Sequence, residues 1–495
     1  MKKSMFVVVC TVILIGILVF QTGSTAKAQT RNLFELKESP RARPEAEKSS
    51  VASLRESEIE ISDSSIKANK KKKQRLPLLD GKIYEAALSN FEERGPNDFT
   101  WRGKIVYGKA AHDVILTFKN GHVAGLIYAP RAVYEIVPVG TKHMLVELDQ
   151  SRFPECAGDV KSDDFPANAQ NLIPEGGIDS GDRIDVLLLY TTPVKTSLGG
   201  EAQAQTFAQS AIDSANTAYL NSKIRLRLRL VRAQETTFAE TGSLSTELSG
   251  FRAAAETTTL RNQYNADLVA MISNSADNCG IGYLGNSGGN TSAAFTVTSR
   301  TCVVGNLSFA HELGHNMGSQ HNPENGSGAA FPYSYGHYVN GNFRTVMSYV
   351  DPCPSGCTRR PYFSNPSVLF SGLPTGIEGT RDNARSINNT ADIIANYRYS
   401  GSSITMSGYN GGEIIPRYMS RVVTWSSAGL AGGNVRIDIS RTESTSWETL
   451  IASTPNDGSA TVNVPGRPTK NARLRITSIE SPTVSDSSIG NIAIK

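Results

Sequence analysis

The eleven residues HELGHNMGSQH, at positions 311–321, constrain the fold of this chain more than any other stretch. On a helix, residues i and i+4 lie on one face, so His311 and His315 can present imidazole nitrogens to one metal ion. Gly318 can take a positive φ and turn the chain, which lets His321 arrive as a third ligand. The spacing therefore predicts a helix, a glycine hinge and a three-histidine metal site.

Glu312 lies between the two helical histidines, where it would act as a base rather than as a ligand. Catalytic zinc sites use three protein ligands and keep a fourth position for water, whose pKa the metal lowers. Glu312 would accept a proton from that water and pass it to the leaving amine of a peptide bond. The alternatives are histidines that satisfy core hydrogen bonds and a degenerate site that only binds metal. We expect one catalytic Zn²⁺; the sequence leaves calcium open.

These residues resemble the metzincin zinc endopeptidases. RTVMSY, at 344–349, is similar to the turn that metzincins place beneath the metal, with Met347 as its methionine. The bacterial reprolysin-like branch, including the peptidyl-Asp metalloendopeptidase group, is a closer likeness through IDVLLLYT, AHELGHNMGSQHN, FRTVMSY and YFSNPSV. The resemblance covers about Phe99 to Arg398 and implies an α+β metzincin-type catalytic domain, with a twisted mixed sheet and the zinc-site helix.

Two residues near the motif depart from the animal reprolysin pattern. Asn322 follows the third histidine, where reprolysins usually carry aspartate. Tyr349 stands two residues after Met347, as in astacins and serralysins, whose tyrosine ligates zinc at rest and swings to stabilise the oxyanion. The resemblance implies that Tyr349 is a switchable ligand or an oxyanion donor. A buried structural tyrosine is the alternative.

Residues 1–28 have the layout of a secretory signal peptide. Two lysines precede an apolar run from Met5 to Phe20, and Ala26 and Ala28 are the small residues expected at a cleavage site. The run is shorter than the roughly 20 residues that a membrane span needs, which argues against an uncleaved anchor. We expect cleavage near Ala28, a mature start at Gln29 and a secreted protein, extracellular or periplasmic, without a membrane span.

The cysteine count leaves one thiol unpaired. Of six cysteines one leaves with the signal peptide, and the sequence-local pairs in an oxidising compartment are Cys279 with Cys302 and Cys353 with Cys357. Cys156 is left over. In several metzincin branches a propeptide cysteine occupies the open zinc position, where a thiolate displaces the catalytic water. The resemblance thus implies that Cys156 is the latency switch of a zymogen; a disulfide partner or an idle thiol is the alternative.

Four stretches of different composition follow the signal peptide. Residues 29–78 are polar and charge-rich and are expected to form a flexible leader. Residues 79–175 are expected to be a β-rich propeptide, because short alternating runs surround a hairpin signal at 119–121. Residues 180–399 hold the motif and are expected to form the catalytic domain. Residues 402–495 show short strands at a spacing of about ten residues, which predicts an all-β, Ig-like sandwich.

Substrate recognition is expected beside the metal. The metzincin resemblance implies that the stretch 293–299, AAFTVTS, just before the zinc helix, is the edge strand that binds substrate main chain. Arg359 and Arg360 follow the methionine turn and Arg344 precedes it. A guanidinium there would favour an acidic residue after the cut, in agreement with the peptidyl-Asp resemblance. Three solvated arginines are the alternative.

The expected partners are protein or peptide substrates. The formal net charge of +4 over 495 residues gives no indication of a nucleic-acid partner. A rival function is a surface adhesion or binding protein, in which the C-terminal sandwich binds a surface, carbohydrate or protein and the protease domain is ancillary. That stretch contains no histidine and no cysteine, so it offers no chemistry of its own.

Overall fold

The computed structural model describes the chain from Asn32 onward, with gaps. The described residues are 32–37, 50–61, 72–95, 97–161, 179, 181–409, 411–428, 434–444, 446–479, 482 and 484–495. They lie within one unit of the chain, Asn32–Lys495. The predicted signal peptide, its cleavage site near Ala28 and the start at Gln29 lie outside these residues. No helix in the described ranges is long and apolar enough to cross a membrane.

The first part of the described chain is an antiparallel sheet, for which nine strands are described, in the order β1-β2-β9-β8-β7-β6-β5-β4-β3. Asn120 and Gly121 have φ of 52° and 79° and make the tight turn between β6 and β7, so the predicted hairpin is confirmed. The strands are β1 Phe34–Leu36, β2 Ser53–Ile61, β3 Lys73–Pro77, β4 Ile83–Gly95, β5 Asp98–Tyr107, β6 Ala110–Lys119, β7 His122–Tyr128, β8 Val133–Val139 and β9 Lys142–Leu148.

Strands β1 to β3 fall inside residues 29–78, where a flexible leader was expected, so for the described residues that expectation was wrong. The composition is charge-rich, but from Ser57 to Glu60 of β2 buried residues alternate with more exposed ones. In β2, Ile59 is buried while the carboxylates of Glu58 and Glu60 pair with Lys37 and Lys142 on the other face. Surface charge on one face of a strand is compatible with burial of the other.

A second sheet carries the metal site. Its six described strands are ordered β10-β14-β15-β13-β11-β12; β10 and β14 run parallel to each other and opposite to the other four, so the only antiparallel pair among these strands is β14 with β15. The stretch 293–299 is not at the edge, because β15 lies between β13 and β14, so that expectation was wrong. The strands are β10 Asp159–Lys161, β11 Arg183–Tyr190, β12 Arg227–Glu235, β13 Leu268–Ser273, β14 Gly280–Leu284 and β15 Phe295–Ser299.

Helices cover this mixed sheet. They are α1 Thr192–Leu198, α2 Glu201–Asn221, α3 Leu244–Ala253, α4 Ala255–Gln263, α5 Ser308–Asn316 and α6 Asn383–Ile394, with a 3₁₀ turn at Thr291–Ala293. Helix α2 is buried on two sides, since Ile212 and Tyr219 share one core with Ile115 and Tyr128 of the first sheet. This arrangement of helices on a mixed sheet is of the expected α+β class.

Asp213 of α2 joins the first sheet to the helices of the second sheet by hydrogen bonds. Its carboxylate is fully buried and accepts hydrogen bonds from the hydroxyls of Thr100 (2.5 Å) and Thr117 (2.6 Å) and from Arg94 (3.2 Å). The positive charges of Arg94 and Arg102 hold the pKa of Asp213 below its usual range although burial pushes it upward. A buried, satisfied carboxylate of this kind fixes the first sheet over α2.

Short strands and a second all-β region complete the chain. Around the site these are β16 Tyr338–Val339, β17 Phe343–Arg344, β18 Thr358–Arg359, β19 Leu369–Phe370 and β20 Leu373–Pro374. Toward the C-terminus they are β21 Ser403–Ser407, β22 Ile414–Ile415, β23 Ser420–Ala428, β24 Asn434–Ser440, β25 Glu448–Pro455, β26 Ser459–Asn463, β27 Thr469–Ser478, β28 Ser485–Ser487 and β29 Ile492–Ile494. Trp425 of β23 shares an apolar core with Ile437 of β24 and Leu474 of β27.

Candidate metal centre

Helix α5 and the turn after it position the three histidines of the predicted metal site. His311 and His315 lie one turn apart on α5, which ends at Asn316. Gly318 then has φ of +80°, and a Cβ at that position would overlap the Cβ of Ala330. The predicted glycine hinge is thus confirmed, and it brings His321 back beneath the helix.

The Nε2 atoms of the three histidines face one point, which is called the metal point. The Nε2 of His321 lies 3.1 Å from that of His311 and 3.0 Å from that of His315, and the remaining pair is 3.2 Å apart. Tetrahedral zinc with Zn–N bonds of about 2.0–2.1 Å separates its nitrogen ligands by about 3.3–3.4 Å. The spacing of the imidazoles therefore fits a zinc ion.

Backbone carbonyls orient each ring. The Nδ1 of His311 donates to Val346 O (2.9 Å), that of His315 to Ser319 O (3.0 Å) and that of His321 to Asn325 O (3.4 Å). Because a carbonyl only accepts, every Nδ1 must carry the proton, and each Nε2 presents a lone pair. Burial and the neighbouring imidazoles lower the pKa of His311 and of His321, so these rings are neutral. Converging neutral donors with fixed second nitrogens are a metal-ligand arrangement.

Cys156 lies at the same point. Its Sγ is 3.1 Å from the Nε2 of His321 and 4.0 Å from that of His315, and the four ligand atoms lie within 4.8 Å of one another. Burial raises the pKa of the Cys156 thiol well above its usual range, and the carboxylate of Glu312 adds to this. A thiolate at this position needs a cation, which a divalent metal would supply.

Glu312 is fully buried between α5 and β14. A Cβ at Gly280 would overlap its Oε1, and a Cβ at Gly282 would lie 3.4 Å from its Oε2. Sequence reasoning missed these two glycines. The signal was available, since glycine inside a strand often marks a close approach of another group.

Met347 and Tyr349 surround the metal point from the turn below it. Met347 is fully buried, and a Cβ at Gly314 would lie 2.5 Å from its Sδ, so the turn packs directly beneath α5. The hydroxyl of Tyr349 lies 2.9 Å from the Sγ of Cys156 and donates to the carbonyl oxygen of that residue at 3.2 Å. Burial raises the pKa of Tyr349, so its phenol remains a donor.

Asn322 joins the third histidine to the methionine turn. Its Oδ1 accepts from the backbone N–H of Tyr349 (3.0 Å) and from the hydroxyl of Ser348 (3.3 Å). Its Nδ2 donates to the carboxylate of Glu324 at 2.9 Å, where an aspartate would meet another negative charge. The departure from the animal reprolysin pattern thus has a local electrostatic reason.

The three arginines are buried rather than solvated. Arg344 and Arg359 are neighbours on β17 and β18 and both donate to the carbonyl of Ser348, at 2.8 Å and 3.0 Å. Arg360 lies elsewhere, with its guanidinium over the rings of Tyr128 (5.2 Å) and Phe370 (5.0 Å). The structure therefore separates Arg360 from the other two and does not bring it to the site.

Both predicted disulfides are present, Cys279–Cys302 and Cys353–Cys357, and Cys156 is free. The first links the start of β14 to the loop before α5. The second closes the loop that follows the methionine turn. The two bridges thus stabilise the segments on either side of the metal point.

Known proteins match this region of the chain. The Reprolysin_5 domain of metallo-peptidase family M12 matches residues 180–364. A peptidyl-Asp metalloendopeptidase of Xanthomonas campestris pv. campestris is 31% identical over 345 residues, which cover 65% of this chain and 81% of that protein. A peptidyl-Asp metalloendopeptidase of Stenotrophomonas maltophilia is 31% identical over 311 residues, or 58% of this chain and 71% of that protein. One of Pseudomonas aeruginosa is 34% identical over 260 residues, or 46% and 43%.

Proposed function

The chain belongs to the peptidyl-Asp metalloendopeptidase family of M12 peptidases and is a zinc metalloendopeptidase; from that premise we propose that it is secreted and made as a latent zymogen. Glu312 is the general base in this proposal, and Cys156 blocks the site until activation. The observation that supports the zinc-dependent chemistry is the convergence of three imidazole Nε2 atoms at distances of 3.0–3.2 Å.

Each side chain has a separate part in the proposed reaction. His311, His315 and His321 would hold the Zn²⁺, which when bound supplies Lewis-acid chemistry and makes water more acidic. Glu312 takes a proton from the attacking water and returns it to the nitrogen of the leaving amine. Tyr349 donates a hydrogen bond to the carbonyl oxygen of the scissile bond as negative charge develops there. Its bond to the carbonyl of Cys156 supports this part.

Latency is supported by what covers the site. The Sγ of Cys156 stands among the three Nε2 atoms, and β10 pairs with β14 along the edge of the catalytic sheet. A substrate strand would need the same edge. Residues 79–175, together with β1 to β3, are therefore proposed as the propeptide, and its departure as the activating step.

The remaining parts of the proposal concern location and the outer domains. Secretion is supported by the signal-like N-terminus and by two disulfides, which persist in oxidising compartments. Residues 180–399 are proposed as the catalytic domain and 402–495 as an Ig-like sandwich, for which the shared core of β23, β24 and β27 is the support. The relatives are named for peptidyl-Asp, which supports recognition of an aspartate, and the proposal is that an acidic residue is preferred after the cut.

Metal removal and one substitution test the proposed chemistry. The full-length chain, activated by a thiol reagent, is expected to hydrolyse casein, to stop on chelation and to recover with zinc. Glu312→Gln should lower kcat by about 10²-fold or more while zinc content is retained. Glu235→Gln, at the end of β12 where the half-buried carboxylate pairs with Lys195, is the control and should retain activity. Hydrolysis that survives either chelation or Glu312→Gln would refute the proposal.

A further inference from the structure

Glu155, the residue before Cys156, places its carboxylate against the catalytic part. Its Oε1 accepts from the backbone N–H of Val350 at 2.9 Å, and its Oε2 lies 3.8 Å from the Nη2 of Arg359. Arg359 is 2% exposed, so its charge is directed to a defined point rather than to solvent. A backbone donor and a buried guanidinium together are a carboxylate-binding arrangement.

Arg359 is held in place by the chain around it. Its Nη1 donates to Asn306 O at 3.1 Å and its Nη2 to Ser348 O at 3.0 Å. Within the described residues its Nε makes no hydrogen bond, which leaves one more donor for a bound carboxylate. Arg344 donates to the same carbonyl of Ser348 and acts as a positioning residue.

The main chain around Glu155 is bound as an added strand. Cys279 N–H donates to Glu155 O at 3.1 Å, Ala157 N–H donates to Gly280 O at 2.9 Å, and β10 continues parallel to β14. Glu155 therefore lies at the Cys279 end of β14, one residue from the position that faces the metal point. Its side chain is where a side chain of a bound peptide would fall.

Strand direction relates this position to the cut. A peptide that pairs antiparallel with β14 forms the more stable ladder. Because such a peptide runs opposite to residues 155–161, its residues after the scissile bond extend toward the Cys279 end. The side chain that immediately follows the cut would therefore occupy the place of Glu155. The propeptide runs the other way, so it presents its own peptide bonds in reverse.

We propose that Arg359 and the N–H of Val350 form the subsite for an acidic substrate residue after the cut, and that Glu155 fills this subsite in the latent chain as an internal mimic. This inference rests on the proposed peptidase function. It gives the propeptide two attachments at the site, a thiol at the metal point and a carboxylate at the specificity subsite. It also distinguishes Arg359 from its neighbour Arg360, which lies over Tyr128 and Phe370.

Substrate preference tests the subsite. The parent is the zinc-loaded full-length Cys156→Ser chain, and the substrates are two peptides that differ only in Asp or Asn after the cut. Arg359→Gln is expected to lower kcat/KM for the Asp peptide by about 10- to 100-fold and to change the Asn peptide little. Arg360→Gln, the matched control, should leave the Asp/Asn ratio unchanged.

Thermal unfolding of the latent chain tests the mimic without substrate. In the cycle formed by Glu155→Gln, Arg359→Gln and the double variant, Glu155→Gln should lower Tm only while Arg359 is present. In the Cys156→Ser chain, Glu155→Gln should raise hydrolysis of the Asp peptide, since the internal competitor is lost.

The outcomes separate the two proposals. Equal hydrolysis of the Asp and Asn peptides, or an Asp preference that survives Arg359→Gln, overturns the subsite while the peptidase stands. Additive Tm changes in the cycle overturn the mimic. A zinc-loaded Cys156→Ser chain that cleaves neither peptide overturns the proposed function and the subsite together.

Discussion

His311 illustrates how a backbone carbonyl sets the chemistry of a metal ligand. Val346, which precedes the turn methionine, accepts from its Nδ1 and thereby leaves Nε2 as the donor to a metal. His315 and His321 have equivalent partners in Ser319 and Asn325. Moving any of these carbonyls would rotate a ring, so the loops after α5 are part of the site.

Tyr349 allows a test at the same scale. Because its hydroxyl already donates to the carbonyl of Cys156, we expect it to donate to a substrate carbonyl in the reaction. Tyr349→Phe should reduce kcat by about 10²-fold with little change in KM or Tm. Steady-state kinetics on the activated full-length chain measures this. An unchanged kcat would leave Tyr349 a structural residue.

The metal-ligand spacing could be predicted because it follows a local rule, whereas the contact of Glu155 with Arg359 does not. The spacing of His311, Glu312 and His315 follows from the helix period, and Gly318 follows from the turn. Glu155 meets Arg359 only because the segment that leads into β10 lies along β14, at the edge of the second sheet. No pattern of period 3.6 or 2 encodes a contact between segments so distant in sequence.

Strand β14 shows at the scale of elements why the edge of the sheet was misassigned. GIGYL has two glycines, which weaken a strand, whereas the neighbouring FTVTS is rich in β-branched residues. The glycines are there because Glu312 approaches the strand. The prediction took the strand directly before the zinc helix as the edge, whereas the glycine-containing β14 lies outside it.

Gly280→Ala should displace the base without removing the metal ligands. The added Cβ would overlap the Oε1 of Glu312, so the carboxylate must move. We expect kcat to fall by about 10-fold or more, since a small misplacement of a reacting group is costly, while zinc content is retained. Gly288→Ala is the matched control, because its Cβ would meet only Asn286 Oδ1 at 3.6 Å. Equal kinetics for the two variants would contradict the role of this glycine.

At the scale of the whole molecule, the first sheet contacts the catalytic part through buried polar groups as well as apolar ones. Asp213 accepts from Thr100 and Thr117, and Glu135 of β8 lies in a cavity of about 280 Å³ beside Arg300. Burial raises the pKa of Glu135 to about 8, although Arg300 opposes the shift. The interface between the first sheet and the rest of the fold therefore contains a carboxyl group whose pKa lies well above that of a free glutamate.

The sign of the pH effect follows from this pKa. Unfolded Glu ionises near pH 4.3, so between that value and about 8 the folded chain binds more protons at Glu135 and its contribution to stability falls as pH rises. Glu135→Gln should therefore gain Tm relative to wild type by about 2 °C or more between pH 5 and pH 8. Glu60→Gln, on the exposed face of β2, should track wild type. If the Tm of Glu135→Gln and the Tm of wild type changed equally between pH 5 and pH 8, the raised pKa of Glu135 would be contradicted.

Zinc-edge X-ray absorption of the full-length chain tests most directly whether Cys156 completes the three-histidine site. We expect nitrogen ligands together with one sulfur at about 2.3 Å in the wild-type chain. Cys156→Ser should lose that sulfur, and its hydrolysis of an Asp-containing peptide should rise above that of wild type. A zinc shell without sulfur in the wild-type chain would contradict the latent arrangement, as would a Cys156→Ser chain that remains as inactive as its parent.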